Sequence, residues 1–490
     1  MLSFLALLVV LSFLAPTGAD ADLWGQLRYG QDIVRQAGVH ATDPYSFTSD
    51  RPWVNHEWLS VAIFWAAYAV GGASGLVTLK LLLACAIAAA VLAAWRQHNL
   101  PPIWRDGLLF TTALGIWPLF STIRPQVFSM ALMAALLLIL ERLREGHHKP
   151  LLLLPPLFIV WVNLHGGWIV GAGVLSLFVL CSFFDAGLTR RSRYLLMGAS
   201  VASAVGTLVN PYGLLMLAFL FETVRVERAD IVEWHSVTQL PAVALVLWSV
   251  PTVIALAAVW RGGRNIHVFK LLVAVMLGIG AFLVARLGGF YALAVGMFLA
   301  PYLKSPHDNP VVVRPRRPIW YSATVCAVMI VLVVALFGRR ITMHSPWLPE
   351  PDAAEFIKAH ALTGRMLTWF NYGQYAIWHF SPDIRVSMDG RREAIYSEEM
   401  RALHWRIYRN EPSALRDVEH LNPDYIWLPA GFPVVDRLQT AGWRPLFAGS
   451  RSTLLGRAPV TMMAGVKTQS SNGMSPSRTR CSAERLFPCP

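Results

Sequence analysis

Residues 58–70 read WLSVAIFWAAYAV, from Trp58 to Val70. The run is apolar but too short to span a bilayer, which takes about 20 residues. A helix of that length lies along the membrane surface or enters it only in part. Whether it crosses fixes the side of every later loop, so the fold hangs on it. Around it, apolar runs at 1–19, 74–95, 106–120, 125–141, 151–163, 167–184, 193–209, 240–260, 266–284, 287–303 and 318–337 make eleven candidate spans, several of them short.

Composition agrees with a membrane protein. Only 14% of the 490 residues are charged and 55% are hydrophobic, with a mean hydropathy of +0.47. Soluble domains carry about 25% charged residues. The deficit excludes a cytosolic enzyme, a disordered tail protein and a nucleic-acid binder, despite a net charge of +13. The 19 Trp suit the headgroup zone. Cys85, Cys181 and Cys326 sit in apolar runs as small core residues, and no cysteine spacing suggests zinc or a disulfide framework.

The basic residues resolve the 58–70 question. If it does not cross and the N-terminus is cytoplasmic, the cytoplasmic loops hold Arg96, Arg105, Arg142, Arg144, Lys149, Arg190, Arg191, Arg193, Arg261, Arg264, Lys304, Arg314, Arg316 and Arg317. The short outer loops hold only Arg124, Arg225, Arg228 and Arg286, and the long first outer loop adds Arg28, Arg35 and Arg51. That excess obeys the positive-inside rule, and counting 58–70 as a span inverts it. The expected architecture is therefore an α-helical polytopic membrane protein of about 11 transmembrane helices, with a juxtamembrane helix at 58–70. Residues 1–19 read as an uncleaved first span; the small residues Thr17, Gly18 and Ala19 would also suit a signal cleavage site, but no Lys or Arg precedes the apolar stretch.

After Arg340 the pattern changes. Strand-like runs at Met366–Trp369, Ile384–Met388 and Tyr425–Leu428 alternate with helical stretches at 352–362, 397–409 and 412–421. This predicts a small C-terminal α/β domain over 345–457, extracytoplasmic by the span count. The expected division is a transmembrane domain at 1–340, whose first outer loop and juxtamembrane helix cover 20–73, then the α/β domain, then a disordered tail at 461–490.

Polar residues gather at the outer ends of the spans. They include Asp20, Asp22, Asp43, His56 and Glu57 in the first outer loop, then Arg124, Asn163, His165, Asn210, Glu233, His235 and Arg286. Each has an ordinary reading. Asp22 can be a solvated acid after a span, His165 can cap a helix, Asn210 can hold a turn, and Arg124 can snorkel to headgroups. Their collection on one side is what marks a site, since ionisable groups near a bilayer interior are costly.

The sequence also resembles a known family. The carriers are Asp22-Leu23-Trp24, Gly30, Thr42-Asp43-Pro44-Tyr45-Ser46-Phe47-Thr48 and Trp53-Val54-Asn55-His56-Glu57-Trp58-Leu59. Further along come Ile123-Arg124-Pro125-Gln126, Trp161-Val162-Asn163-Leu164-His165-Gly166-Gly167, Asn210-Pro211-Tyr212-Gly213, Glu233-Trp234 and Met388-Asp389-Gly390-Arg391. This set resembles bacterial polytopic membrane glycosyltransferases of the GT-C fold. The order of elements is similar to that of protein O-mannosyltransferases and lipid A aminoarabinose transferases. Two departures stand out: Asp22 is followed by Leu23 where those relatives carry Asp-Glu, and His56-Glu57-Trp58-Leu59 replaces a His-Pro-Pro-Leu entry to the juxtamembrane helix.

The resemblance implies sugar transfer from a polyprenyl-phosphate-linked donor to a lipid or other cell-envelope acceptor. The place would be the outer face of the bacterial cytoplasmic (inner) membrane. Asp22 matches the acid that opens the loop and is the candidate general base. Arg124 and Arg286 suit a lipid phosphate, whose oxygens match the guanidinium fork. His56 and His165 would donate hydrogen bonds to phosphate or sugar. Asp43 and Glu57 would hold the loop, or ligate a divalent cation if the enzyme uses one. The Asp389–Arg391 turn has two readings: an internal ion pair, or an acceptor-seating loop with Asn371 and Tyr372 beside it. A transporter or flippase of lipid-linked sugars and a non-catalytic membrane scaffold are the competing functions. The transporter would need polar residues at mid-span on several helices.

Overall fold

Gly72 interrupts the helix that begins at Trp58. Helical hydrogen bonding continues from Trp58 to Ala94, but Gly72 takes φ 55° and ψ −139°. Glycine reaches that region without a Cβ clash. A Cβ on Gly75 would stand 2.0 Å from the Ala67 carbonyl oxygen. Eight residues of straight helix would separate the two by about 12 Å. The chain therefore doubles back at Gly72, and 58–71 is a short helix distinct from 73–94.

The computed structural model describes residues 2–40, 42–98, 100–225, 231–303, 319–337, 341 and 348–457. The tail expected at 461–490, and Arg228, Lys304, Arg314, Arg316 and Arg317, lie outside the described residues. The chain forms two compact units: Met1–Gly18 with His56–Arg340, and Ala19–Asn55 with Ile341–Pro490. The sequence reading keeps 20–73 with the membrane domain. The packing instead assigns Ala19–Asn55 to the C-terminal unit, because the arm buries its aromatic side chains there.

The first unit is helical. Local signals set its helix ends. Pro102 begins Pro102–Phe120, where a missing N–H costs nothing. The Thr189 hydroxyl accepts from Ser192 N at 3.1 Å to start Arg190–Gly206. Many large apolar side chains of this unit are exposed, Val70 and Phe184 at 92% among them. Such a surface suits lipid rather than water. Among the described residues, Trp58–Ala94, Gln126–Arg144 and Ala242–Asn265 are long and apolar enough to cross a membrane. Shorter apolar helices include Phe4–Leu14, Lys149–Leu164, Trp168–Ser182 and Val268–Leu283. Helix length alone thus leaves the expected count of eleven open.

Three ionisable side chains inside this unit escape a hydropathy reading. Lys80 is fully buried, and its Nζ donates to Thr17 Oγ1, the Phe120 carbonyl at 2.8 Å and the Pro16 carbonyl at 3.2 Å. It thereby caps the orphan carbonyls where Leu2–Leu14 and Pro102–Phe120 end. Lys270 pairs with Glu141 at 2.7 Å, both largely buried.

The second unit is α/β. Its strands are β1 (Gly364–Thr368), β2 (Ile384–Val386), β3 (Tyr425–Pro429), β4 (Arg444–Ala448) and β5 (Ser452–Gly456), in the order β2-β1-β3-β5-β4. β1 lies parallel to β2 and β3, with Met366 opposite Val386 and Tyr425; β5 runs antiparallel to β3 and β4. The strand runs read from the sequence fall on β1, β2 and β3, whereas the β4–β5 hairpin carries no strong alternation and escapes that reading.

The N-terminal arm completes this sheet. Val386 N donates to the Tyr45 carbonyl and Phe47 N to the Val386 carbonyl, both at 3.0 Å. Residues 45–47 thus cover the β2 edge, which would otherwise invite pairing with another chain. Helix Leu23–Gln36 packs on helix Phe370–Phe380, with Trp24 edge-on to Tyr375 at 5.5 Å.

Candidate active site

In the helical unit, two arginines meet on one acid. Arg124 follows helix Pro102–Phe120, and Arg286 lies in the short turn Ala285–Leu287. Arg124 Nη1 contacts Glu233 Oε1, and Arg286 Nη1 lies 3.3 Å from Glu233 Oε2. Arg286 Nη2 also donates to Gln126 Oε1 at 3.2 Å, and its guanidinium stands 5.9 Å from the Trp234 ring. The Glu233 segment is stitched to its neighbour: Ala285 N donates to the His235 carbonyl at 3.0 Å and Ser236 Oγ to the Phe282 carbonyl at 2.9 Å. Each carboxylate oxygen of Glu233 therefore contacts one guanidinium.

A second cluster shares the same helix start. Ser129 lies one turn after Gln126 in helix Gln126–Arg144. Trp161 Nε1 donates to Ser129 Oγ at 2.7 Å, and Ser129 Oγ lies 2.8 Å from His165 Nδ1. Gly167 N–H donates to the same Nδ1 at 3.0 Å. A backbone N–H can only donate, so Nδ1 is an acceptor and the ring proton sits on Nε2. Nε2 points toward Glu57 Oε1 at 3.7 Å, and His56 Nε2 lies 3.6 Å from the same oxygen. Burial, with the charges of Arg286 and His56 nearby, holds His165 well below the usual imidazole range. His165 is thus a neutral donor aimed at a carboxylate. Asn163 is occupied otherwise: it accepts from Trp58 Nε1 at 2.7 Å and donates to the Val209 carbonyl at 2.8 Å.

In the α/β unit, Asp22 sits at the head of helix Leu23–Gln36. Gln374 Nε2 donates to Asp22 Oδ1 at 3.1 Å. Two glycines make this contact possible. A Cβ on Gly25 would lie 1.7 Å from Gln374 Oε1, and one on Gly390 would lie 1.9 Å from Asp22 Oδ1. The Gln374 amide is buried against these two backbones.

Asp43 and Asp389 meet on one arginine. Arg391 spans them, with Nη1 at 2.6 Å from Asp43 Oδ1 and Nη2 at 2.7 Å from Asp389 Oδ2, and neither carboxylate is exposed. Asp43 also accepts from Tyr45 N and Ser46 N, each at 3.0 Å. Trp53, Tyr29 and Tyr45 surround the Arg391 guanidinium at 4.7, 5.0 and 5.4 Å. Tyr396 donates to Asp389 at 3.0 Å. Burial, then the neighbouring Asp389 charge once Arg391 is discounted, pushes the Tyr396 hydroxyl well above its ordinary range. Asp389 and Arg391 thus form an ion pair within their own turn. Tyr372 is fully buried and donates to the Arg451 carbonyl at 3.3 Å, so it belongs to the core; Asn371 is half-buried in helix Phe370–Phe380 rather than at a strand end.

Of the expected site residues, Arg124 and Arg286 converge in the helical unit, as do His56, Glu57 and His165. Asp22 stands in the α/β unit, where Asp43 is locked in an ion pair. Glu233, Gln126 and Ser129 join the first group, and Gln374 joins Asp22. Among the described residues, no group of three or more His, Cys, Asp or Glu side chains is placed to hold a metal ion; His56 and His165 each face Glu57 through Nε2.

No protein-family model matches the chain, and no curated protein does either. Solved structures do. The oligosaccharyltransferase AglB from Archaeoglobus fulgidus, in complex with an inhibitory peptide and a dolichol-phosphate, is 12% identical with a TM-score of 0.54, over 87% of this chain and 69% of that one. ArnT from Cupriavidus metallidurans, bound to undecaprenyl phosphate, is 14% identical with a TM-score of 0.56, over 95% and 98%. The arabinofuranosyltransferase AftD from Mycobacteria is 13% identical with a TM-score of 0.53, over 92% of this chain but 41% of that one. The fold is therefore GT-C-like: a helical unit with a small sheet-containing unit.

Proposed function

We propose that the protein is a membrane glycosyltransferase. It moves a sugar from a polyprenyl-phosphate-linked donor to an acceptor at the outer face of the bacterial cytoplasmic membrane. One observation carries the reading: in a GT-C-like fold, Arg124 and Arg286 converge on one carboxylate, that of Glu233. In the reaction an acceptor hydroxyl attacks the anomeric carbon. The bond from that carbon to the phosphate oxygen breaks, the lipid phosphate leaves with the electron pair, and the hydroxyl proton passes to a base. Asp22 is that base in this reading, its carboxylate fixed by Gln374. The arginines meet the charge that grows on the leaving phosphate. His165, neutral with its proton on Nε2, would donate to sugar or phosphate, and His56 and Glu57 would orient it.

The test uses the full-length protein in detergent and a panel of undecaprenyl-phosphate-linked sugars. The readout is release of undecaprenyl phosphate, which every donor gives whatever the sugar. Wild type should release it from at least one donor in the presence of membrane extract as acceptor. Asp22→Asn should slow release about 10²–10⁴-fold, as loss of a general base does. No release from any donor would sink the glycosyltransferase reading; an Asp22→Asn variant with wild-type turnover would move the base elsewhere.

A further inference from the structure

We propose that Glu233 is the built-in counterion of the two-arginine site, and that a lipid phosphate monoester binds there by exchanging with it. The proposal rests on the reading that Arg124 and Arg286 receive the lipid phosphate. Glu233 lies where such a phosphate would lie: one oxygen on Arg124, the other 3.3 Å from Arg286. Its side chain is the most exposed of the three, at 40% against 22% for Arg124 and 27% for Arg286. The carboxylate can therefore leave without opening the core.

What remains behind is already held. Arg286 keeps Gln126 Oε1 at 3.2 Å, and the Ala285–His235 and Ser236–Phe282 hydrogen bonds keep the segment attached. Departure of Glu233 would thus present an Arg286 guanidinium that stays in place, beside Arg124.

Charge decides who wins the exchange. A carboxylate brings one negative charge and two oxygens. A phosphate monoester brings about 1.5 to 2 charges and three oxygens at neutral pH, and the guanidinium fork matches it. A phosphodiester donor carries a single charge and competes with Glu233 on near-equal terms. The monoester formed when the sugar leaves displaces Glu233 more strongly. The site consequently favours the leaving group over the donor, and the return of Glu233 helps to expel the spent lipid.

The experiment measures binding of undecaprenyl phosphate to the full-length protein in detergent, with inorganic phosphate as a parallel probe. Glu233→Gln and Glu233→Ala both remove the competing charge and should bind the lipid about tenfold tighter, the effect of two part-exposed ion pairs lost from the competing state. Unchanged or weaker binding in both variants, with unaltered thermal unfolding, would show that Glu233 only props the arginines, and overturns the proposal. A gain equally large with inorganic phosphate would make the ligand a soluble phosphate and overturn the lipid assignment. Arg124→Ala should weaken lipid binding; wild-type affinity in that variant defeats the underlying phosphate reading itself, a result distinct from failure at Glu233.

Discussion

Gln374 holds Asp22 across 352 positions of sequence, through a hydrogen bond of 3.1 Å from its side-chain nitrogen. The contact is internal to the α/β unit, and Gly25 and Gly390 leave just enough room for it. An acid fixed in this way loses little entropy when it takes up a proton from a substrate.

Gln374→Met keeps length and removes the donor. A hydrogen bond to a charged group contributes about 1.5–3 kcal/mol, so lipid-phosphate release should slow roughly 10–100-fold with the donor KM unchanged. In an Asp22→Asn background the same substitution should add little, because the two act through one carboxylate. Additive losses in that double-variant cycle would assign Gln374 to general packing instead.

Arg124→Lys tests the fork. Lysine keeps the charge but cannot offer two parallel N–H groups. If Arg124 grips phosphate, binding of undecaprenyl phosphate should weaken about tenfold, one charge-assisted hydrogen bond's worth. A residue that merely snorkels to headgroups would tolerate the exchange, and affinity would stay at wild type.

Arg391→Met should unfold the α/β unit first. It strands Asp43 and Asp389, whose carboxylates are wholly buried. Breaking a buried pair from one side costs about 3–5 kcal/mol. Thermal unfolding followed by hydrogen exchange should show the loss in residues 19–55 and 348–457 together, since Arg391 joins both segments. Loss confined to one of them would contradict the shared unit.

Acid should weaken the same unit. Burial lowers His404 to about 4, and burial with the Lys358 charge lowers His379 to about 3, against an ordinary 6.5. Both are neutral when folded, while the unfolded chain takes up protons below about pH 6.5. Stability is therefore full above that pH and falls as pH drops toward 4, by up to about 1.4 kcal/mol per unit for each histidine. Unfolding midpoints at pH 7 and pH 5 check this, and His404→Leu should reduce the difference. A midpoint independent of pH over that interval would show that neither histidine titrates on unfolding.

Cysteine labelling tests the topology. Residues 19–55 and 348–457 fold together, so both must lie on one side of the membrane. The chain between them then crosses an even number of times. In a cysteine-free background, Arg35→Cys and Glu419→Cys should label from the same face, and Arg191→Cys from the other. Opposite labelling at 35 and 419 would break the even-crossing rule.

The sequence carried some of this plainly and hid the rest for definite reasons. Arg124 and Arg286 are visible because isolated basic residues at span ends stand out against apolar neighbours. Gly71-Gly72 after WLSVAIFWAAYAV marks the turn-back, which explains why a 37-residue helical run is really two helices. Lys80 hides inside an apolar run, since its partners are carbonyls that no sequence pattern records. Gln374 and the Asp43–Arg391 pair were not legible because each depends on residues hundreds of positions away. Helix Leu23–Gln36 looks like a loop because Gly25 and Gly30 depress its helix propensity, although Leu23, Leu27 and Ile33 share its buried face.

The two-segment unit also has a timetable. The arm Ala19–Asn55 leaves the ribosome early, while its partner Ile341–Pro490 waits behind His56–Arg340. At about 5–20 residues per second, those roughly 285 intervening residues take on the order of 15–60 s to synthesise. Until then Trp24, Tyr45 and Trp53, all buried in the finished protein, have nothing to cover them. For most of its birth the molecule carries an open sticky arm, so a cell short of holding chaperones should lose this protein before translation ends.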